Sequence, residues 1–150
     1  MSISPNIWGP SAWAFIHLMT LSENDTITQE RLKHYNTFYN TLTHLLPCAK
    51  CRNHLEKNLS EMSPITSVKN KEELFKWTVE LHNKINTITG KKIEQFDKMY
   101  KLWTDISLGK KDLNGKYCLS YYLKYIFAII LIIIITLIIS NYFPKVLRKN

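Results

Sequence analysis

The stretch YIFAIILIIIITLIISNYF, Tyr125 to Phe143, constrains this 150-residue chain more than any other part of it. Thr136, Ser140 and Asn141 are its only clearly polar members, and no charge interrupts it. As a helix its nineteen residues reach ~28 Å, close to the ~30 Å hydrocarbon thickness of a bilayer. So many β-branched residues would also suit a strand, but strands rarely run this long. Tyr121, Tyr122 and Tyr125 on one side and Tyr142 on the other suit the two interfaces. The expected organisation is therefore a soluble domain over 1–109, a basic juxtamembrane linker over 110–124, a single transmembrane helix over 125–143 and a basic tail over 144–150.

The formal charge of +8 would invite a nucleic-acid reading, and its location argues against one. Residues 1–109 carry 13 Lys/Arg against 11 Asp/Glu, whereas residues 110–150 carry 7 against 1. The excess brackets the apolar stretch, which points to lipid headgroups and leaves no nucleic-acid partner.

Before residue 110 the apolar residues recur at helical spacing. Pro10 is expected to start a helix whose Trp13, Ile16, His17 and Thr20 share a face. A second helix, about Thr28 to Leu46, places Leu32, Tyr35, Tyr39, Leu42 and Leu46 at steps of three and four. A third begins at the cysteine pair, runs through Leu55 and Leu59 and ends before Pro64. Asn70 with Glu73 forms a variant capping box for a fourth, which carries Leu74, Trp77, Leu81, Ile85 and Ile88 and ends at Gly90. A fifth shows Ile93, Phe96, Tyr100 and Trp103, and residues 109–120 read as a linker. The fold class is all-α: a compact five-helix domain, a four-helix bundle plus one, followed by the membrane helix.

The chemistry-bearing stretch is LPCAKC, residues 46–51. A thioredoxin-like site needs a buried strand before the motif, and a helix occupies that place. Haem attachment needs histidine after the second cysteine, where Arg52 stands. Zinc remains open, because His44, Cys48, Cys51 and His54 are four permissible ligands within eleven residues. A non-catalytic, zinc-stabilised adaptor on a membrane is the reading that follows from it. Disulfide exchange also remains open: a helix N-terminus stabilises a thiolate, and Lys50 and Arg52 add positive charge. A dithiol that makes disulfides repeatedly must pass its electrons to a cofactor.

WGPSAWAFIH (Trp8 to His17), LPCAKC and WTVELHNKINTITGK (Trp77 to Lys91) occur in that order. Together they resemble the Erv/ALR family of FAD-linked sulfhydryl oxidases, which carry W-G-x-x-x-W-x-x-x-H, C-x-x-C, and H-N-x-x-N followed by G-K. The resemblance covers about residues 8–105 and is strongest toward members encoded by large DNA viruses. It implies FAD bound within the helical bundle, in keeping with a chain of four glycines and no Gly-x-Gly-x-x-Gly. Gly9 would let backbone approach the cofactor, and Trp13 and His17 would face the flavin. His82, Asn83 and Asn86 would meet the adenosine end, Lys91 would pair with the pyrophosphate, and Trp77 would lie near the adenine or pack in the core. Cys48 would be the outer sulfur that a substrate dithiol attacks, and Cys51 the inner one that passes electrons to FAD and then O₂. The implied reaction is 2 R–SH + O₂ → R–S–S–R + H₂O₂, with no metal. Cys118 alone cannot form the second Cys-x-x-Cys shuttle of many members, so a separate dithiol protein is the expected substrate. Family members commonly form homodimers through their first helices, which the apolar faces here permit.

MSISPNIWGPSAW has no basic segment followed by an apolar run, so no signal peptide is expected. The apolar helix would then insert as a C-terminal anchor and leave the catalytic domain in the cytosol, where a virus assembling in cytoplasm would use it. Lys110, Lys111, Lys116 and Lys124 before the span, against Lys145, Arg148 and Lys149 after it, lean slightly the same way. NDT at Asn24 and NLS at Asn58 are glycosylation acceptors, expected to stay unmodified on that topology.

Overall fold

The computed structural model describes residues 2–147 and forms six α-helices and one short 3₁₀ turn, with no strand among the described residues. It separates into two compact units at Ser107/Leu108. The first holds α1 (Pro5–Leu21), α2 (Gln29–Leu45), α3 (Ala49–Glu61), the 3₁₀ turn Ile65–Ser67, α4 (Lys71–Thr89) and α5 (Phe96–Ser107).

The helix starts follow capping chemistry. Thr28 Oγ1 accepts from Arg31 N–H at 3.2 Å, and Asn70 Oδ1 accepts from Glu73 N–H at 2.9 Å. Glu73 returns a carboxylate oxygen to Lys69 N–H at 2.8 Å, one residue earlier than the usual capping box, so both donors at this entry are satisfied. Gly90 closes α4 in the left-handed conformation (φ 66°), where a Cβ would be strained. The first helix begins five residues earlier than expected. Ser4 caps it and Pro5 occupies its first position, so Pro10 lies inside and removes one hydrogen bond from the second turn.

Helix α4 buries two faces, where its apolar spacing suggested one. Leu74, Trp77 and Leu81 join Leu32, Tyr35, Tyr39, Leu55, Met62 and Ile65 in the larger core cluster. Phe75 and Val79 form a second cluster with Met99 and Trp103 of α5. Helix α4 is therefore sandwiched, while its last expected core position, Ile88, is 44 % exposed. Helix α5 starts at Phe96, three residues later than the apolar pattern suggested, and Ile93 is exposed.

In the second unit the expected linker is partly ordered. Lys111 and Tyr117 pair across a tight turn, and α6 runs from Leu119 to Leu147. Its segment Leu119–Ser140 is long and apolar enough to cross a membrane. Of the basic tail expected over 144–150, Arg148, Lys149 and Asn150 lie outside the described residues.

Candidate active site

Cys48 and Cys51 form a disulfide with their Cα atoms 5.1 Å apart. Cys48 is the N-cap of α3, and its Sγ accepts from Cys51 N–H at 3.2 Å. The loop entering the helix is pinned from two sides. Arg52 Nη1 donates to Leu46 O at 2.6 Å, and Ile3 N–H donates to Pro47 O at 2.9 Å. The sequence suggested only added positive charge at Arg52; its guanidinium also fixes the backbone that presents the sulfurs. Cys48 is 8 % exposed and Cys51 half-buried, so exposure within the protein does not by itself make Cys48 the outer sulfur.

Because Cys48 and Cys51 are bonded to each other, neither sulfur is a metal-ligating thiolate. No group of three or more His, Cys, Asp or Glu residues is arranged to hold a metal among the described residues. The set His44, Cys48, Cys51, His54 is adjacent in sequence without forming a site, and the zinc adaptor has no support.

The second feature is a cluster of rings from α1, α4 and α5. Helix α1 places Trp13 and His17 one turn apart, and α4 supplies His82. Trp13 stacks on His82 with centroids 4.0 Å apart and planes within 9°. His17 Nε2 and His82 Nδ1 lie 3.2 Å apart and share a proton-mediated hydrogen bond. Phe75 and Trp103 each approach His17 at 5.2 Å. Residues expected at opposite ends of a bound nucleotide, Trp13 and His17 on one side and His82 on the other, are thus in direct contact.

Both imidazoles are held neutral. Burial, and then the repulsion that a protonated His82 would exert, pushes His17 down to about 3. Burial, and then the Lys91 ammonium, pushes His82 down to about 4. His17 is fully buried, yet its Nδ1 has no partner within the protein, and neither does the buried Nε1 of neighbouring Trp103. Unpaired polar atoms of this kind cost roughly 1–3 kcal/mol each when nothing fills the site.

Asn83 and Asn86 hold the chain after Gly90. Asn83 Nδ2 donates to Glu94 O and its Oδ1 accepts from Glu94 N–H, both at 2.9 Å. Asn86 Nδ2 donates to Lys92 O at 3.0 Å, and Lys91 N–H donates to Asn86 O at 2.8 Å. Nothing in the sequence distinguished this loop-clamping role, because it depends on where residues 91–95 return. Trp77 lies about 140° around α4 from His82. It stacks near Tyr39 at 4.9 Å and donates to Ser63 O at 2.9 Å, on the wall of a separate polar cavity of about 320 Å³. Its indole belongs to the larger core cluster. A Cβ built on Gly9 would meet nothing within 4 Å, so no neighbouring protein atom requires glycine there.

A Cys-x-x-Cys disulfide at a helix N-terminus, in a domain with no strand among the described residues, defines the class: an all-helical thiol–disulfide redox domain. The comparisons make this specific. The model of the Erv1 / Alr family matches residues 10–104, and the chain belongs to that family. It is 38% identical over 93 residues to a probable FAD-linked sulfhydryl oxidase of Acanthamoeba polyphaga mimivirus, covering 61% of this chain and 64% of that protein. It is 31% identical over 97 residues to the mitochondrial FAD-linked sulfhydryl oxidase of Saccharomyces cerevisiae, covering 65% of this chain and 50% of that protein. The chain thus spans less than two thirds of both. A putative FAD-linked sulfhydryl oxidase of Invertebrate iridescent virus 6 is 31% identical over 106 residues, covering 67% of this chain and 96% of that protein. Among solved structures, the FAD-binding domain of yeast Erv1 superposes with a TM-score of 0.62 at 29% identity, covering 69% of this chain and 96% of that one.

Proposed function

We propose that the chain is a FAD-dependent thiol oxidase that forms disulfides in a separate dithiol protein. The Cys48–Cys51 disulfide at the α3 N-terminus carries the reading, within a family whose similar members are named FAD-linked sulfhydryl oxidases. The ring cluster fits the cofactor: the unpartnered His17 Nδ1 and Trp103 Nε1 are what a polar heterocycle would satisfy. The space beside Gly9 leaves room for its approach. Trp13, His17 and His82 would hold the ring system, with Lys91 supplying charge for the phosphates and Asn83 and Asn86 shaping the loop that presents it. Bound FAD supplies two-electron acceptance from the reduced pair and delivery to O₂.

The residues' own steps are thiol–disulfide exchange. A substrate thiolate attacks Cys48 Sγ, forms a mixed disulfide and releases the Cys51 thiolate. The second substrate thiolate attacks the substrate sulfur of that mixed disulfide, and Cys48 leaves as a thiolate. The helix N-terminus and the Cys51 N–H, already directed at Cys48 Sγ at 3.2 Å, stabilise that leaving charge. Loss of two electrons from the pair restores the disulfide, giving 2 R–SH + O₂ → R–S–S–R + H₂O₂ overall.

The remaining assignments rest on the same reading. Helix α6 anchors the protein as a single pass, with the oxidase domain on the cytosolic side. The two viral relatives support a viral disulfide-forming pathway. Exposed Ile7 and Phe15 on α1 support a homodimer through the first helices. The test is spectroscopic: purified protein is expected to be yellow, to release FAD on denaturation and to consume O₂ with a dithiol. A folded, colourless protein that cannot be loaded with FAD would refute the proposal.

A further inference from the structure

Residues 108–124 carry Lys110, Lys111, Lys116 and Lys124 against one acidic residue, Asp112. Asp112 Oδ1 accepts from the N–H groups of Lys116 and Asn114, both at 2.9 Å. Those two donors, Lys116 first, hold its carboxyl below the usual carboxylate range. The carboxylate is committed to the backbone of the turn that Gly115 closes at φ 76°. Cys118 N–H donates to Lys110 O at 2.8 Å, which brings the turn onto the first residues of α6.

The lysines are gathered by aromatic rings. Lys124 Nζ lies 4.3 Å from the Tyr121 ring centre and 5.1 Å from that of Tyr125. Lys110 Nζ approaches the same Tyr121 ring at 5.8 Å, and Lys111 Nζ stands 4.8 Å from Tyr117. Each cation–π contact restricts a flexible side chain, so less conformational freedom is lost when that ammonium meets an anion. This arrangement sits where α6 enters its uncharged stretch, which begins at Tyr125, just after Lys124.

We propose that the 110–118 turn and the first turns of α6 form a collar that selects anionic over zwitterionic phospholipid headgroups in the adjoining leaflet. The proposal rests on reading α6 as a membrane span. Cations held at the edge of a hydrocarbon-length helix lie at headgroup depth, where each lysine near an anionic surface favours association roughly fivefold. Asp112 keeps its charge and offsets one of the four lysines, which leaves residues 108–124 with a net charge of +3.

The full-length chain is incorporated into phosphatidylcholine vesicles containing a minority of phosphatidylserine and excised with its surrounding lipid in polymer-bounded discs. Headgroups are counted by mass spectrometry. The expected result is several-fold enrichment of phosphatidylserine over the bulk ratio. Enrichment should be lost in Lys110→Gln/Lys111→Gln/Lys116→Gln/Lys124→Gln and kept when the same four positions are arginine. Alkaline carbonate washing of pure phosphatidylcholine vesicles reads insertion separately, and both native and glutamine chains should stay embedded. Insertion without enrichment, or enrichment surviving in the glutamine variant, overturns the collar alone. Failure to insert overturns the span and the collar together.

Discussion

Replacing Asn83 by alanine separates two roles that one residue could have, cofactor ligand and loop clamp. Its amide exchanges two 2.9 Å hydrogen bonds with the Glu94 backbone. At a net ~0.5–1.5 kcal/mol each they contribute about 1–3 kcal/mol. Alanine's better helix propensity returns up to ~0.7 kcal/mol. The net expected loss is about 0.3–3 kcal/mol, or roughly 1–24 °C in Tm for a domain of this size. Aspartate should cost more, since it sets a charged oxygen against the Glu94 carbonyl. Urea denaturation followed by tryptophan fluorescence, without FAD and at rising FAD, is the assay. A lost clamp lowers stability already in the FAD-free protein, whatever further loss appears as FAD is added. A lost ligand contact leaves the FAD-free protein unchanged and opens a gap that grows with ligand by mass action. The second pattern would refute the clamp.

Other outcomes follow from the same geometry. Cys48→Ser and Cys51→Ser should each abolish dithiol oxidation, while Cys118→Ser should retain it; an inactive Cys118 variant would show that the single pair is insufficient. His17 and His82 sit near 3 and 4 in the fold against about 6.5 unfolded, so the unfolded chain binds more protons between these values. Their contribution is full above about pH 6.5 and is lost as pH falls toward 4, by up to ~1.4 kcal/mol per pH unit for each histidine. His17→Phe should flatten that slope in urea midpoints measured from pH 7 to 5. Tyr39 buries a hydroxyl with no partner, so Tyr39→Phe should be neutral or stabilising by thermal denaturation, and a loss above ~1 kcal/mol would contradict this. Asn24 is exposed and serves as a topology reporter, expected to carry no glycan in cells when the domain is cytosolic. Asn58, the other acceptor, is 3 % exposed within α3 and cannot report on the folded domain.

Local chemistry made much of this protein legible from its sequence. The cap at Asn70, the stop at Gly90 and the 3.6-residue spacing of Leu32, Tyr35 and Tyr39 depend on neighbours a turn away, so helix identity follows from the chain itself. The Cys48–Cys51 spacing and the uninterrupted apolar length of α6 are likewise local. Contacts between distant segments are different. Only packing decided that α4 is covered on both faces, so that Phe75 and Val79 matter as much as Leu74 and Leu81. Only packing set Trp13 and His17 against His82, turned Asn83 and Asn86 toward the returning loop, and sent Trp77 to the opposite wall. Periodicity states which residues share a face of one helix; which neighbour that face meets depends on the burial of all five helices together.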